Sequence, residues 1–217
     1  MNAMTANLAL ALCSFIVSGG LVHAHNSGEH AQHGQQAAET RQDSAQVSFA
    51  DVSLLDQDGK PVNLNQDLVR DRIVVMGFIY TSCTTVCPVV SSIMSKVQAQ
   101  LGGRVGDDVQ LVSISIDPQR DDPPRLQGYA KKFQNGPGWS WLTGSPQAIT
   151  DTLKGLGTWT ADYRNHPPLI MVGDGRSDHW TRFYGFTDPA LLVKRVQELG
   201  AARVHARHTA VALGEQP

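Results

Sequence analysis

The run Ile73-Val74-Val75-Met76-Gly77-Phe78-Ile79-Tyr80 is almost wholly apolar, the pattern of a strand buried on both faces. Val109 to Ile116 is a second run of this kind, stopped by Asp117-Pro118. Leu169 to Val172 is a third, which Asp174-Gly175 turns back into Trp180 to Tyr184. Earlier, Val47 to Leu64 alternates apolar and polar residues around Asp56-Gln57-Asp58-Gly59, which predicts a β-hairpin. Between the strands the period changes. Val89, Ile93, Val97 and Leu101 recur at helical spacing, and Pro88 before them suits the first position of a helix. Pro123-Pro124 opens a helix carrying Leu126, Tyr129 and Phe133, and Ser145-Pro146 opens one carrying Ile149, Leu153 and Leu156. Asp188-Pro189 starts a C-terminal helix through Leu191, Leu192, Val196 and Leu199. Alternation of strands with helices, closed by a late hairpin, predicts one α/β domain over residues 47–204. Its central mixed sheet carries helices on both faces and is preceded by the N-terminal β-hairpin.

The ends of the chain follow neither period. Residues 1–24 contain no Lys, Arg, Asp or Glu, and Leu8 to Val22 is apolar apart from Ser14, Ser18, Gly19 and Gly20. With Val22-His23-Ala24 after it, this stretch reads as a secretory signal peptide, although no Lys or Arg precedes the apolar run. The run is shorter than the roughly 20 residues that span a bilayer. The expectation is export to the periplasm with His25 as the first mature residue. An uncleaved segment would serve as an anchor, and membrane contact otherwise comes only through a partner. Residues 25–46, rich in His, Gln, Ala, Ser and Glu, read as a disordered tail, and 205–217 as a C-terminal tail.

Export changes what the cysteines mean. Cys13 leaves with the signal, so Cys83 and Cys87 remain as the one pair. An exported protein with a single close pair is disulfide-bonded, redox-active or metal-binding. Charge is nearly balanced, with 18 basic and 20 acidic residues and no basic block, which excludes nucleic acid as a natural partner.

Thr81-Ser82-Cys83-Thr84-Thr85-Val86-Cys87-Pro88 falls between a buried strand and a helix start. Free amide donors and partial positive charge at a helix N-terminus favour thiolate over thiol. Thiolate is the form that attacks disulfides and the form that binds soft metals such as copper(I) or zinc, or iron–sulfur clusters. Thioredoxin-type redox motifs place two residues between their cysteines, whereas three stand here. That wider loop can close a disulfide or converge two thiolates on one ion. Two cysteines are too few for a structural zinc site. A third ligand is wanted, and the candidate is His166 in Tyr163-Arg164-Asn165-His166-Pro167-Pro168, just before the third core strand. The rival is a metal-independent thiol–disulfide oxidoreductase with Cys83 and Cys87 as its redox pair, which has no need of His166.

Other residues have plainer readings. His25, His30 and His33 could chelate copper(II) with the new N-terminus, or simply solvate the tail. His205 and His208 share a helix face beside Arg203 and Arg207, as suits a helix C-terminus. His179 flanks a hairpin turn. Asp117 and Asp121 read as caps of a turn or helix beside Pro118 and Pro123, with Asp117 also placed to tune a metal site from behind its ligands. Trp139, Trp141, Trp159 and Trp180 read as core or rim packing.

Phe78-Ile79-Tyr80-Thr81-Ser82-Cys83 through Cys87-Pro88 resembles the motif of the Sco/SenC family of copper-binding proteins. Ser113-Ile114-Ser115-Ile116-Asp117-Pro118-Gln119-Arg120-Asp121, Trp141-Leu142-Thr143-Gly144, and His166 followed by an apolar strand and Asp174-Gly175 have their counterparts there in the same order. Thr84-Thr85-Val86 lacks the Pro and Asp common in the motif, and Pro167 stands where a hydroxyl residue is usual. The resemblance implies a thioredoxin-like fold binding one copper ion, as Cu(I) or Cu(II), through Cys83, Cys87 and His166. It also implies a role as metallochaperone, with thiol–disulfide reductase activity as the enzymatic alternative. Such a protein delivers copper to the binuclear centre of cytochrome c oxidase or another exported copper enzyme, or reduces the cysteines of that centre.

Overall fold

A computed structural model of the protein describes residues 41–212. The signal-peptide reading and the tail histidines His25, His30 and His33 lie outside the described residues.

Among the described residues six strands form one sheet in the order β1-β8-β7-β4-β5-β6. They are β1 (Gln42–Gln46), β4 (Ile73–Ile79), β5 (Val109–Ser115), β6 (Trp139–Leu142), β7 (Leu169–Asp174) and β8 (His179–Tyr184). β4, β5 and β6 run parallel, while β7, β8 and β1 add antiparallel neighbours. β2 (Ser53–Leu55) and β3 (Pro61–Asn63) make the expected hairpin as a separate two-stranded sheet. Among the described residues four α-helices complete the domain: α1 (Val86–Leu101), α2 (Pro123–Ala130), α3 (Pro146–Gly155) and α4 (Pro189–Ala212).

The continuous apolar runs are explained by burial on both faces. In β4, Ile73, Val75 and Ile79 pack with Val90, Met94 and Val97 of α1 and Leu192 and Val196 of α4. The alternate residues Val74, Met76 and Phe78 pack on the other face with Ile149 and Leu153 of α3 and Leu54 of the hairpin. The sheet is thus covered on both sides, in the thioredoxin-like arrangement. Gly173 pairs with Trp180 across β7 and β8, where a Cβ would fall 2.1 Å from the indole Cδ2. A side chain there would displace the Trp180 ring from the core.

The elements depart from the sequence pattern in four places. The folded part begins before Val47, because Gln42–Gln46 pairs with the free edge of β8 over five residues and buries Ala45. Part of the expected 25–46 tail is therefore an edge strand, held by backbone bonds that a polar sequence does not announce. α4 continues through the expected 205–217 tail as far as Ala212, and His205 and His208 are exposed on it. Trp139–Leu142 is a strand that the sequence pattern does not mark, and it carries Trp139 and Trp141 into the core as expected. Pro88 is the third residue of α1, not the first, because the helix already starts at Val86. Proline is still tolerated there, since the first-turn N–H groups have no partner within the helix. Among the described residues no helix is long and apolar enough to cross a membrane.

Candidate metal centre

The C-terminal ends of parallel β4 and β5 and the N-terminal end of antiparallel β7 lie at one end of the sheet, the usual place for a site in an open α/β sheet. Three loops meet there: Tyr80–Thr85 between β4 and α1, Ile116–Asp122 between β5 and α2, and the approach to β7 that carries His166.

Cys83 and Cys87 are both buried and both free thiols. Thr85 caps α1 without any side-chain hydrogen bond. Instead the N–H of Cys87, a first-turn donor, reaches Cys83 Sγ at 3.3 Å, and Thr85 Oγ1 stands 3.9 Å from the same sulfur. Cys83 therefore serves as the cap that Thr85 does not provide. The electrostatics follow. Burial opposes ionisation of Cys83, but hydrogen bonds from the Cys87 thiol and from the Cys87 and Thr85 backbones outweigh it, bringing its pKa down to about 7. Burial pushes Cys87 up to about 12, helped by its donating to Cys83. Burial also raises the Tyr80 hydroxyl to about 12, aided by its hydrogen bond to Cys83. The pair is thus one sulfur that ionises near neutral pH and one that stays protonated there.

His166 follows a short 3-10 turn, Tyr163–Asn165, whose Tyr163 carbonyl accepts the His166 N–H at 3.1 Å. Its ring packs on Phe78 with centroids 5.4 Å apart. Nδ1 lies 2.9 Å from the Pro167 carbonyl, while Nε2 is buried without a hydrogen-bond partner. Burial depresses its pKa, so the ring is held neutral, the form that can donate to a metal. His166 and Cys87 line one small cavity of about 20 Å³ together with Phe78, Tyr80 and Val90, room for roughly one water molecule or ion. On another side His166 borders an open pocket of about 230 Å³ that includes Asp117, Ile149, Trp159 and Tyr163.

The structure thus brings His166 to the cavity of Cys87, but it does not gather the three side chains into one closed site. Among the described residues no group of three His, Cys, Asp or Glu side chains could hold a metal ion as they stand. The donors nevertheless suit a soft, small ion: a thiolate, a second sulfur beside it, and a neutral imidazole with a vacant lone pair.

Two aspartates have different roles from those read in the sequence. Asp122, not Asp121, caps α2 by accepting from Arg125 N at 2.9 Å. Asp121 points inward, where its carboxylate accepts from Thr81 N at 2.9 Å, Thr81 Oγ1 at 2.5 Å and Ser115 Oγ at 2.6 Å. Asp117 is buried and pairs with Arg120 at 3.0 Å. Phe78, Tyr80 and Thr81 stand in the sequence motif around Cys83 but are not legible from it as site residues, because their contacts with His166, Cys83 and Asp121 arise only in the fold. Trp139, Trp141 and Trp180 are core, whereas Trp159 is 46% exposed on the pocket rim. His179 is exposed beside Asp178, away from the cysteines in sequence and pairing.

Comparison with known proteins bears on the family and the fold. A "SCO1 protein homolog" of Bacillus subtilis is 33% identical over 93 residues, 42% of this chain and 47% of that one. The chain spans about half the length of the curated relatives it matches. A solved SCO1/SenC family lipoprotein from Bacillus anthracis superposes with a TM-score of 0.60 at 25% identity, over 72% of this chain and 97% of the other. ScoI of Bradyrhizobium japonicum with copper bound gives 0.57 at 26% identity, over 69% and 98% of the two chains. The SCO1/SenC family model matches residues 39–210, and the chain belongs to that family.

Proposed function

We propose that this protein is an exported copper metallochaperone that binds one copper ion through Cys83, Cys87 and His166. The observation that carries the reading is that His166 and Cys87 line one small cavity with room for a single ion, and that the His166 Nε2 is buried without a hydrogen-bond partner. A buried polar atom without a partner is costly, and an ion bound beside it would satisfy it. Copper is favoured over zinc by the low ligand count and the sulfur donors. It is also the metal bound to the related ScoI. A further structure of this fold is described as belonging to "the Sco family of cytochrome c oxidase assembly proteins". The proposed recipient is accordingly the copper subunit of cytochrome c oxidase or another exported copper protein.

In this reading Cys83 takes up the ion first, because it loses its proton near neutral pH while Cys87 keeps its own, and Cys87 loses its proton as the second sulfur joins. His166 closes the site by presenting Nε2. A second reading, thiol–disulfide exchange without metal, is favoured by the same asymmetry of the sulfurs, which gives one attacking thiolate and one resolving thiol.

Copper titration separates the two. The exported protein with His25, His30 and His33 replaced by Gln should bind one copper ion when reduced and none at this site when oxidised, since a disulfide offers no thiolate. If the Cys83→Ser/Cys87→Ser protein takes up copper with the same affinity, the site is elsewhere and the reading fails.

A further inference from the structure

One short segment touches both loops that carry the proposed ligands. Asp117 to Asp121 is a tight turn in which the N–H groups of Arg120 and Asp121 both donate to the Asp117 carbonyl, at 3.1 and 3.0 Å. From this turn two side chains leave in different directions. Asp121 binds the N–H and the hydroxyl of Thr81, two residues before Cys83. Arg120 Nη1 donates to the Tyr163 hydroxyl at 2.8 Å, and Tyr163 stands three residues before His166 and accepts its N–H. The same Arg120 nitrogen is steadied by Asp117 Oδ2 at 3.0 Å.

The two arms differ in stiffness. Asp121 is almost fully buried, and Ser115 Oγ and Thr81 together supply three donors to its two oxygens. Its own carbonyl accepts from Thr143 Oγ1 at 2.6 Å, which fastens the turn to the end of β6. A buried carboxylate held by several donors is a rigid anchor, because losing one partner leaves a charge unsatisfied. Arg120 is by contrast 55% exposed, and it holds Tyr163 by one hydrogen bond and a loose approach to the ring face, 6.0 Å from guanidinium to centroid, so this arm can yield.

We infer that the Asp117–Asp121 turn is a positioning bridge that fixes the cysteine loop rigidly through Asp121 and Thr81 and holds the His166 loop adjustably through Arg120 and Tyr163. This rests on the copper reading for its histidine arm only. The cysteine arm acts on the sulfurs whether or not a metal binds. The open cluster of ligands is consistent with the bridge: the half that must not move is anchored, and the half that must close is on the yielding contact.

The test uses the exported full chain and two readouts. The first is the equilibrium of the Cys83–Cys87 disulfide with glutathione. Thr81→Val and Asp121→Asn free the cysteine loop, so closing the disulfide requires more ordering, and reduction should become about tenfold easier, roughly 30 mV for a two-electron couple. Tyr163→Phe and Arg120→Gln should leave this equilibrium unchanged. The second readout is the thiolate-to-copper(II) absorption band and the rate of copper(II) loss to a chelator. Tyr163→Phe and Arg120→Gln should alter the band and speed loss roughly two- to tenfold, as for one weak hydrogen bond. Thr143→Val removes a bond to the Asp121 carbonyl but keeps the carboxylate contacts with Thr81. It should lower the melting temperature and shift the disulfide equilibrium in the same direction as Thr81→Val but clearly less. Should Asp121→Asn not fold, Thr81→Val still decides the cysteine arm, since it keeps the carboxylate and the backbone bond. The bridge is disproved if Thr81→Val leaves the disulfide equilibrium unchanged, if Thr143→Val moves it equally, or if Tyr163→Phe leaves copper(II) loss unchanged. Absence of any copper uptake by the unaltered protein would instead sink the copper reading, with the disulfide measurement still deciding the cysteine arm.

Discussion

The sulfur of Cys83 accepts the backbone N–H of Cys87 at 3.3 Å, so one cysteine caps the helix that carries the other. The two sulfurs thereby become unlike. Cys83 gains donors that favour its anion, and Cys87, deeper and itself a donor to Cys83, is held as a thiol.

Alkylation should expose this difference. In the reduced, metal-free protein, iodoacetamide should modify Cys83 first, with a rate that rises to half its plateau near pH 7. Cys87 should stay silent until far more alkaline conditions. Peptide mass mapping across pH reads both. Equal rates at the two sulfurs, or Cys87 reacting first, would contradict the capping arrangement.

The same asymmetry predicts how stability depends on pH. Cys83 falls from an ordinary 9.0 to about 7 on folding, so the unfolded chain holds its proton more tightly. Its stabilising contribution is present in full above pH 9 and is lost as pH falls through 7. Cys87, raised to about 12 from 9.0, acts in the opposite sense only above pH 9. Urea unfolding of the reduced protein, compared with Cys83→Ser, should show a stability difference that grows between pH 7 and 9 by on the order of 2 kcal/mol. A flat difference would mean that the folded Cys83 titrates like a free thiol.

The domain boundary offers a prediction about the fold itself. A chain starting at Val47 loses all of β1, the buried Ala45, the bond from Tyr184 to Asp43 at 3.1 Å and that from Gln46 to Asp178 at 2.7 Å. It should be less stable than a chain starting at Arg41 by about 2 kcal/mol or more, counting only a few net hydrogen bonds. Urea midpoints of the two chains measure this, and equal midpoints would make β1 an ornament of the edge.

What could be read from the sequence, and what could not, divides along physical lines. Ile73–Ile79 and Val109–Ser115 were legible because strands buried on both faces need unbroken apolar runs. Gln42-Asp43-Ser44-Ala45-Gln46 was not, since it buries a single small side chain and its strand state comes from the open edge of β8. His166 was legible as a residue type in the right loop, but its orphaned Nε2 and its rest on Phe78 belong to packing. Asp121 and Asp122 are identical neighbours in the chain. Only the start of α2 at Pro123 makes Asp122 the cap and leaves Asp121 to turn inward onto Thr81.

The last third of α4 separates packing from propensity. Arg203 makes two bonds of 2.6 Å to Asp174 and one of 2.9 Å to the Asp71 carbonyl, with both charged side chains largely buried. Burial opposes ionisation of Asp174, yet the Arg203 pairing holds its pKa below the usual carboxylate range. That stability is present above the unfolded carboxylate pKa and lost as pH falls through the lower folded value. Arg203→Ala strands a buried carboxylate and should cost about 3 kcal/mol at neutral pH. Deleting the chain after Val204 removes His205 to Thr209, all exposed, and leaves the Arg203 pairing in place, so it should cost far less. Thermal unfolding of both variants checks the contrast, and an equal loss in each would show that the helix tail carries stability of its own.

Replacing His166 is the sharpest test of the proposed ligand set. Burial holds this imidazole neutral to lower pH than usual, so Nε2 is a competent donor throughout the neutral range. Copper(I) is satisfied by two thiolates, whereas copper(II) is harder and gains more from a nitrogen ligand. His166→Ala should therefore keep most copper(I) binding but weaken copper(II) binding roughly a hundredfold or more, about 3 kcal/mol. The thiolate-to-copper(II) band should fade or shift. The disulfide between Cys83 and Cys87 should still form, because it needs no imidazole. Loss of the ring also joins the 20 Å³ cavity beside Cys87 to the 230 Å³ pocket that His166 borders. Free imidazole added to the variant should then enter and restore part of the copper(II) band, as a merely structural histidine would not allow. Paired titrations of the unaltered protein and His166→Ala, in both copper oxidation states and with and without imidazole, decide the matter. Copper(II) spectra that do not change on the substitution would remove His166 from the site and leave the metal resting on the two sulfurs.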